Sequence, residues 1–202
     1  MNNNDIAKRD RRFKFWLALV GMATLFTLAA SALRENVFAE WRMIRGEYAG
    51  ILREKADDEL GRNIADRFEI GMEQYVLPEL GRIDRCVTCH PGIDDPRMAD
   101  QPQPFRTHPG KYLGNHPPAK FGCTICHRGQ GRAVSFEEAK AVGHHWDYPL
   151  LPANLTQSSC GVCHTAEEVR RAGGEKYALG RQLFLDKGCQ SCHQLNGRGG
   201  NM

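Results

Sequence analysis

Cysteine and histidine are the residues of this chain that could do chemistry, and their spacing says which chemistry. The motifs Cys86-x-x-Cys89-His90, Cys123-x-x-Cys126-His127, Cys160-x-x-Cys163-His164 and Cys189-x-x-Cys192-His193 use all eight cysteines of the 202 residues. None is left for a disulfide. Two thiols three residues apart can each form a thioether to one of the two vinyl groups of a haem, and the next residue's imidazole then reaches the iron. The spacing predicts four covalently bound haem c groups, with the eight cysteines as attachment points and His90, His127, His164 and His193 as iron ligands. Paired Cys-x-x-Cys knuckles also build zinc sites. With histidine at 8 of 202 residues, its chance placement after all four pairs has odds on the order of one in 10⁵ to 10⁶, and zinc makes no such demand. A redox dithiol is disfavoured as well, because such motifs occur singly within a βαβ pattern.

An electron-transfer haem needs a second axial ligand that stays bound in both redox states. Outside the motifs stand His108, His116, His144 and His145. The first two intervals between motifs are each 37 residues, whereas the third is 29, so the first two units form a repeat. His108 lies 22 residues after Cys86 and His145 lies 22 after Cys123, while His144 is one residue out of phase. His108, His116 and His145 are therefore the expected distal ligands of the first three haems, in an order the sequence leaves open, and His144 is expected to be a surface residue. Pro109 and Pro117 restrict the backbone of the histidines before them.

The elements that must hold these residues differ along the chain. From Cys86 to Met202 only 19 of 117 residues are Leu, Ile, Val or Phe, about 16%, a composition that cannot fill a core by itself. Four macrocycles would supply the missing apolar volume, with a thin, loop-rich polypeptide around them. The expected fold is mainly α with extensive loops, in which residues 79–175 form a triheme cytochrome c region and 176–202 a separate unit.

Residues 1–14 are basic, with Lys8, Arg9, Arg11, Arg12 and Lys14, and precede the uncharged apolar run 15–33. Nineteen residues at helical rise span about 28 Å, close to a bilayer's hydrocarbon thickness. One transmembrane helix is expected, its basic flank cytoplasmic and the rest of the chain on the periplasmic side of a bacterial inner membrane, where haem is attached to cysteine. Ala30-Ser31-Ala32 also resembles a signal cleavage site, but the apolar run is longer than most signal cores. Residues 34–78 read as an amphipathic helical stalk. Trp41, Ile44, Tyr48 and Ile51, then Leu60, Ile64, Phe68, Met72 and Tyr75, recur at spacings of three and four. As one rod to about Val76 it would reach roughly 60 Å, but Gly46, Gly50, Asp57, Asp58 and Gly61 are weak helix formers that could divide it. Its apolar stripe is expected to dock on partner subunits.

The fourth motif has its own setting. Gly180-x-x-x-Phe184 leads into Gly188-Cys189-x-x-Cys192-His193, followed by Leu195-Asn196-Gly197 and Gly199-Gly200. This resembles the opening of a class I cytochrome c domain, a resemblance that covers about 26 residues and implies a distal methionine and a packing C-terminal helix further on. The sequence is accordingly expected to continue beyond Met202. If it ended there, His144 would be the remaining candidate for the fourth distal ligand. The apolar anchor, the stalk, "DRCVTCH", "FGCTICHRGQG" and "HHWDYPLLP" together resemble the membrane-anchored multihaem cytochromes c that accompany cytochrome b and Rieske proteins in bacterial quinol-oxidising complexes. The resemblance implies electron transfer between membrane and soluble redox partners, with cytochrome b-like or Rieske-like subunits beside this chain. One-helix tetrahaem quinol dehydrogenases are similar in size, but carry a methionine two residues after the first motif, where this chain has Pro91-Gly92. Reaction-centre tetrahaem cytochromes place a methionine before most motifs, a position that only Met72 and Met98 approach here.

Nothing else in the sequence suggests catalysis. Glu137-Glu138 and Glu167-Glu168 are adjacent and do not face each other on a helix, and glycine-rich 197–200 lacks the strand and helix of a nucleotide loop. A net charge of +3 gives no reason to expect nucleic acid.

Overall fold

An apolar run without charge is stable in lipid only if its backbone groups bond to one another, which a helix achieves. In the computed structural model, which describes residues 3–200 except 144, 147 and 196, helix α1 spans Asn3–Asn36. It contains an 18-residue window of mean hydropathy 1.9, none of it buried, so the helix is long and apolar enough to cross a membrane. Its polar side chains turn inward on the helix itself: Thr24 Oγ1 donates to the Val20 carbonyl and Thr27 Oγ1 to that of Thr24, each at 2.9 Å.

The chain forms two compact units, Met1–Gly71 and Met72–Met202. In the first, α2 (Glu40–Glu54) and α3 (Glu59–Arg67) follow α1. The helical stretch expected to reach Val76 thus ends at Arg67 and is broken at residues 55–58. Asp58 makes the break: its extended backbone and its Oδ1, accepting the Gly61 N–H at 2.6 Å, start a new helix. On α2 the buried face is Trp41, Arg45, Tyr48, Ala49 and Leu52, with Ile44 and Ile51 only half-buried. Arg45 lies inside because its guanidinium stacks 4.5 Å over the Phe68 ring and donates to the Glu69 carbonyl at 2.9 Å. On α3, Gly61 and Ala65 are buried, while Leu60 and Ile64 stay exposed.

The second unit is built of short pieces. Strands β1 (Tyr75–Leu77) and β2 (Arg82–Asp84) pair antiparallel, Tyr75 opposite Asp84, through a 3₁₀ turn opened by Pro78. Tyr75, expected on the stalk helix, is a strand residue here. Helical turns α4 (Cys86–Cys89), α5 (Tyr112–Asn115), α6 (Pro118–Phe121), α7 (Thr124–His127) and α8 (Phe136–Ala139) follow, each four residues long. A 3₁₀ segment covers Ala153–Val162, then come α9 (Ala166–Arg171), capped by a reciprocal Thr165–Glu168 box, and α10 (Glu175–Asp186). A 3₁₀ turn at Cys189–Ser191 and the two-residue pair β3 (Gln194–Leu195) with β4 (Arg198–Gly199) end the described chain. The fold is mainly helical, and the core of this unit is thin: among its described residues the buried apolar ones are Leu77, Val87, Met98, Phe105, Ala141 and Val169.

Candidate haem sites

Each motif closes one turn with the same bond. The motif histidine's N–H donates to the carbonyl of the first cysteine at 2.8 Å (His90), 2.9 Å (His127), 2.9 Å (His164) and 2.8 Å (His193). That bond closes a single turn, which places positions one, four and five of the motif on one side of it. The first two motifs do this on α4 and α7, the last two on 3₁₀ turns. All eight cysteines are free of disulfides and at least partly accessible.

The first two motifs are tied together by a residue that the motif pattern does not mark. Asp84 is fully buried, and its carboxylate accepts the N–H groups of Cys86 at 3.2 Å, Cys123 at 2.7 Å and Thr124 at 2.8 Å. Burial pushes its pKa up, but the Cys86 thiol and these amides outweigh burial and hold it below the usual carboxylate range. Gly122 leaves room for this: with φ +67°, a Cβ there would stand 2.6 Å from Leu77 Cδ1 and 3.0 Å from Asp84 Oδ2. Arg85 N–H adds a 2.7 Å bond to the Gly131 carbonyl behind the second motif, and the Thr88 hydroxyl exchanges hydrogen bonds with both backbone groups of Glu73.

Among the described residues, Asp84 and the sulfurs of Cys86 and Cys123 form a cluster with ligand atoms within 4.8 Å of one another. It does not make a zinc site, since the carboxylate is already spent on three amides and no fourth ligand joins it. The same proximity raises the thiol pKa of Cys86, first through its hydrogen bond with Cys123 and then through burial. Burial also raises Cys126, with added repulsion from Cys160, Cys123 and Cys163, and it raises Cys160. These three thiols therefore hold their protons more tightly than a free cysteine does.

Among the described residues, three histidines have one ring nitrogen fixed by a backbone carbonyl: His90 Nδ1 by Pro104 at 3.1 Å, His108 Nδ1 by Pro109 at 2.9 Å and His116 Nδ1 by Tyr112 at 3.2 Å. A carbonyl only accepts, so Nδ1 carries the proton and Nε2 presents a lone pair, the arrangement that orients metal-bound imidazoles. Burial lowers the pKa of His90. His127 is lowered too, first by burial and then by repulsion from His108 and His90. Both shifts favour the neutral ring, the form that ligates a metal. The backbone of His108 is itself anchored, its N–H donating to the Ile93 carbonyl at 2.8 Å.

The non-motif histidines are not placed alike. The His108 ring lies 6.1 Å from that of His127, and the His116 ring 5.9 Å from that of His164. His145 is exposed, and among the described residues no histidine ring faces it, His90 or His193. His144 lies outside the described residues. His164 has Glu168 Oε2 4.0 Å from its Nδ1. Asp84 and the carbonyls behind the rings were missed by motif reasoning; only the position of Asp84, two residues before Cys86, could have pointed to it.

The fourth motif follows directly on α10, whose Gly180 and Phe184 sit one helical turn apart. No curated protein and no solved structure matches the chain. The cytochrome c family model matches residues 177–202, so this C-terminal segment, comprising most of α10 and the fourth motif, is similar to the domain of a haem c electron carrier.

Proposed function

We propose that the protein is a membrane-anchored tetrahaem c-type cytochrome. It transfers electrons on the periplasmic side of a bacterial inner membrane, as a subunit of a cytochrome bc-type quinol-oxidising complex with cytochrome b-like or Rieske-like partners. The observation that carries this reading is the recurrence of one local device: four Cys-x-x-Cys-His turns, each closed by the same histidine-to-cysteine bond although they sit on different elements. The cytochrome c similarity reaches the fourth of them, and the other three repeat its residues and its turn.

Haem c supplies one-electron exchange at its iron. The chain's part is attachment, ligation and placement. The eight cysteine thiols would hold each haem by thioethers, formed by addition across its vinyl groups, sulfur to one carbon and hydrogen to the other, so no oxidant would be needed. The motif imidazoles would each offer a ring nitrogen to the iron. His108, His116 and His145 would complete the coordination of the first three haems, His145 on the strength of its repeat phase. Residues 15–33 of α1 anchor the chain.

Intact-mass measurement of the mature protein tests the reading. The expected mass is the polypeptide plus four haems, falling by one haem when both cysteines of one motif are replaced by Ala. A bare polypeptide, or one carrying zinc, would overturn it. A cytochrome b-like protein co-purifying in mild detergent is the expected result for the complex, and an isolated quinol-oxidising homo-oligomer would refute that part.

A further inference from the structure

We infer that His108 is the second axial ligand of the haem attached at Cys123 and Cys126, opposite His127, and that His116 is the second axial ligand of the haem attached at Cys160 and Cys163, opposite His164. The assignment rests on the haem reading above. Two imidazoles on opposite sides of one metal, with metal–nitrogen bonds of about 2.0–2.1 Å as at zinc and about 1.1 Å from nitrogen to ring centre, have centres roughly 6.2 Å apart. The observed separations are 6.1 Å and 5.9 Å.

Edge-to-face ring packing falls in the same range, so distance alone does not decide. Three further features do. Each pair joins one motif histidine to one non-motif histidine. In each, the non-motif ring has its Nδ1 held by a backbone carbonyl, which leaves Nε2 as its ligating atom. Each non-motif ring is also steadied by an aromatic neighbour, Tyr112 at 6.3 Å from His108 and Phe121 at 5.3 Å from His116.

The segment between the first and second motifs therefore provides the distal ligands for the second and third haems. The 37-residue repeat therefore marks which histidines are candidate ligands but not which haem each serves: His116, rather than His145, takes the third haem.

The test uses the full, matured chain. His108→Ala and His116→Ala are each made in the unaltered protein, in a Cys123→Ala/Cys126→Ala background and in a Cys160→Ala/Cys163→Ala background, and ferric spin states are read by electron paramagnetic resonance. In the unaltered protein each substitution should convert one haem of four to high spin. Without the second haem, His108→Ala should have no further effect while His116→Ala still converts one; without the third haem the pattern should reverse. Conversion of a haem by His108→Ala when the second haem is absent would overturn the assignment. Should those variants fail to mature, the unaltered protein still decides. Ring planes crossed at 74° and 89° should give two strongly axial low-spin ferric signals, and only rhombic signals of parallel imidazoles would refute the pairing. A chain whose mass shows four haems but whose spectra disagree sinks the pairing alone, whereas a haem-free mass sinks the parent reading with it.

Discussion

Asp84 does with one carboxylate what the Cys-x-x-Cys-His motifs cannot do for themselves: it fixes the starts of two motif turns against each other. Its oxygens accept three backbone N–H groups. Replacement by the isosteric Asn leaves only one accepting oxygen, and each stranded buried donor costs about 1–3 kcal/mol. Asp84→Asn should lower stability by at least that amount, measured by denaturant unfolding of the matured protein. The pH dependence has a definite sign. The folded pKa of Asp84 lies below its unfolded value, so its contribution is present above the unfolded value of about 3.9 and is lost as pH falls through the folded one. Acid titration of the chain before haem attachment, where the Cys86 thiol is still free to donate, should show the wild-type advantage over Asp84→Asn shrinking at low pH. At the same scale, His145→Ala should yield one high-spin haem and His144→Ala none, because only His145 keeps the 22-residue phase of His108. Absorption spectra of the two ferric variants check this, and the opposite outcome would refute the phase argument.

The elements are short because they position groups rather than enclose a polypeptide core. The β1–β2 hairpin delivers Asp84, and α6 ends at Gly122 so that the second motif can approach it. A side chain at Gly122 meets both a left-handed φ and the Leu77 methyl. Gly122→Ala should therefore cost more than about 1 kcal/mol, seen as a lower thermal midpoint with haem content unchanged. In the first unit, the helical period of residues 40–75 breaks where Asp58 caps a new helix. Asp58→Ala should cost about 0.5–2 kcal/mol of local stability, checked by amide exchange along α3. Leu60 and Ile64 are 67% and 41% exposed, so the half of the stripe expected to dock on other subunits is not consumed within its own helix pair.

For the whole molecule, α1 is long and apolar enough to cross a membrane and the second unit buries few apolar side chains among the described residues; on the proposed function, lipid completes the first and macrocycles the second. Alkaline carbonate washing should leave the full chain in the membrane fraction, whereas a chain lacking residues 1–36 but still exported should appear in the soluble fraction with its haems. Recovery of the full chain in the soluble fraction would refute the anchor. A redox titration belongs to this scale too. Bis-histidine ligation gives lower potentials than histidine–methionine ligation, so a methionine supplied by a continuing cytochrome c domain would make the haem at Cys189, Cys192 and His193 the highest in potential. Four closely spaced low potentials would contradict that domain reading.

The sequence by itself determined what is local. Two cysteines and a histidine within five positions need a single hydrogen-bonded turn to converge, and nineteen uncharged residues need only helical rise to match a bilayer. Both are written in nearest neighbours, as is the similarity of residues 177–202 to cytochrome c. Only the tertiary structure decided which distant groups meet. Asp84 reaches Cys123 across 39 residues, and His116 faces His164 across a longer span still. Periodicity carries no information about such closures, because they depend on how turns, glycines and a buried carboxylate fold the chain back. For the same reason the stalk pattern overran its helix. Phe68 and Tyr75 keep helical spacing in the sequence, but one packs against Tyr48 and Arg45 and the other pairs across a hairpin, contacts that outweigh the weak local preference for continuing the helix.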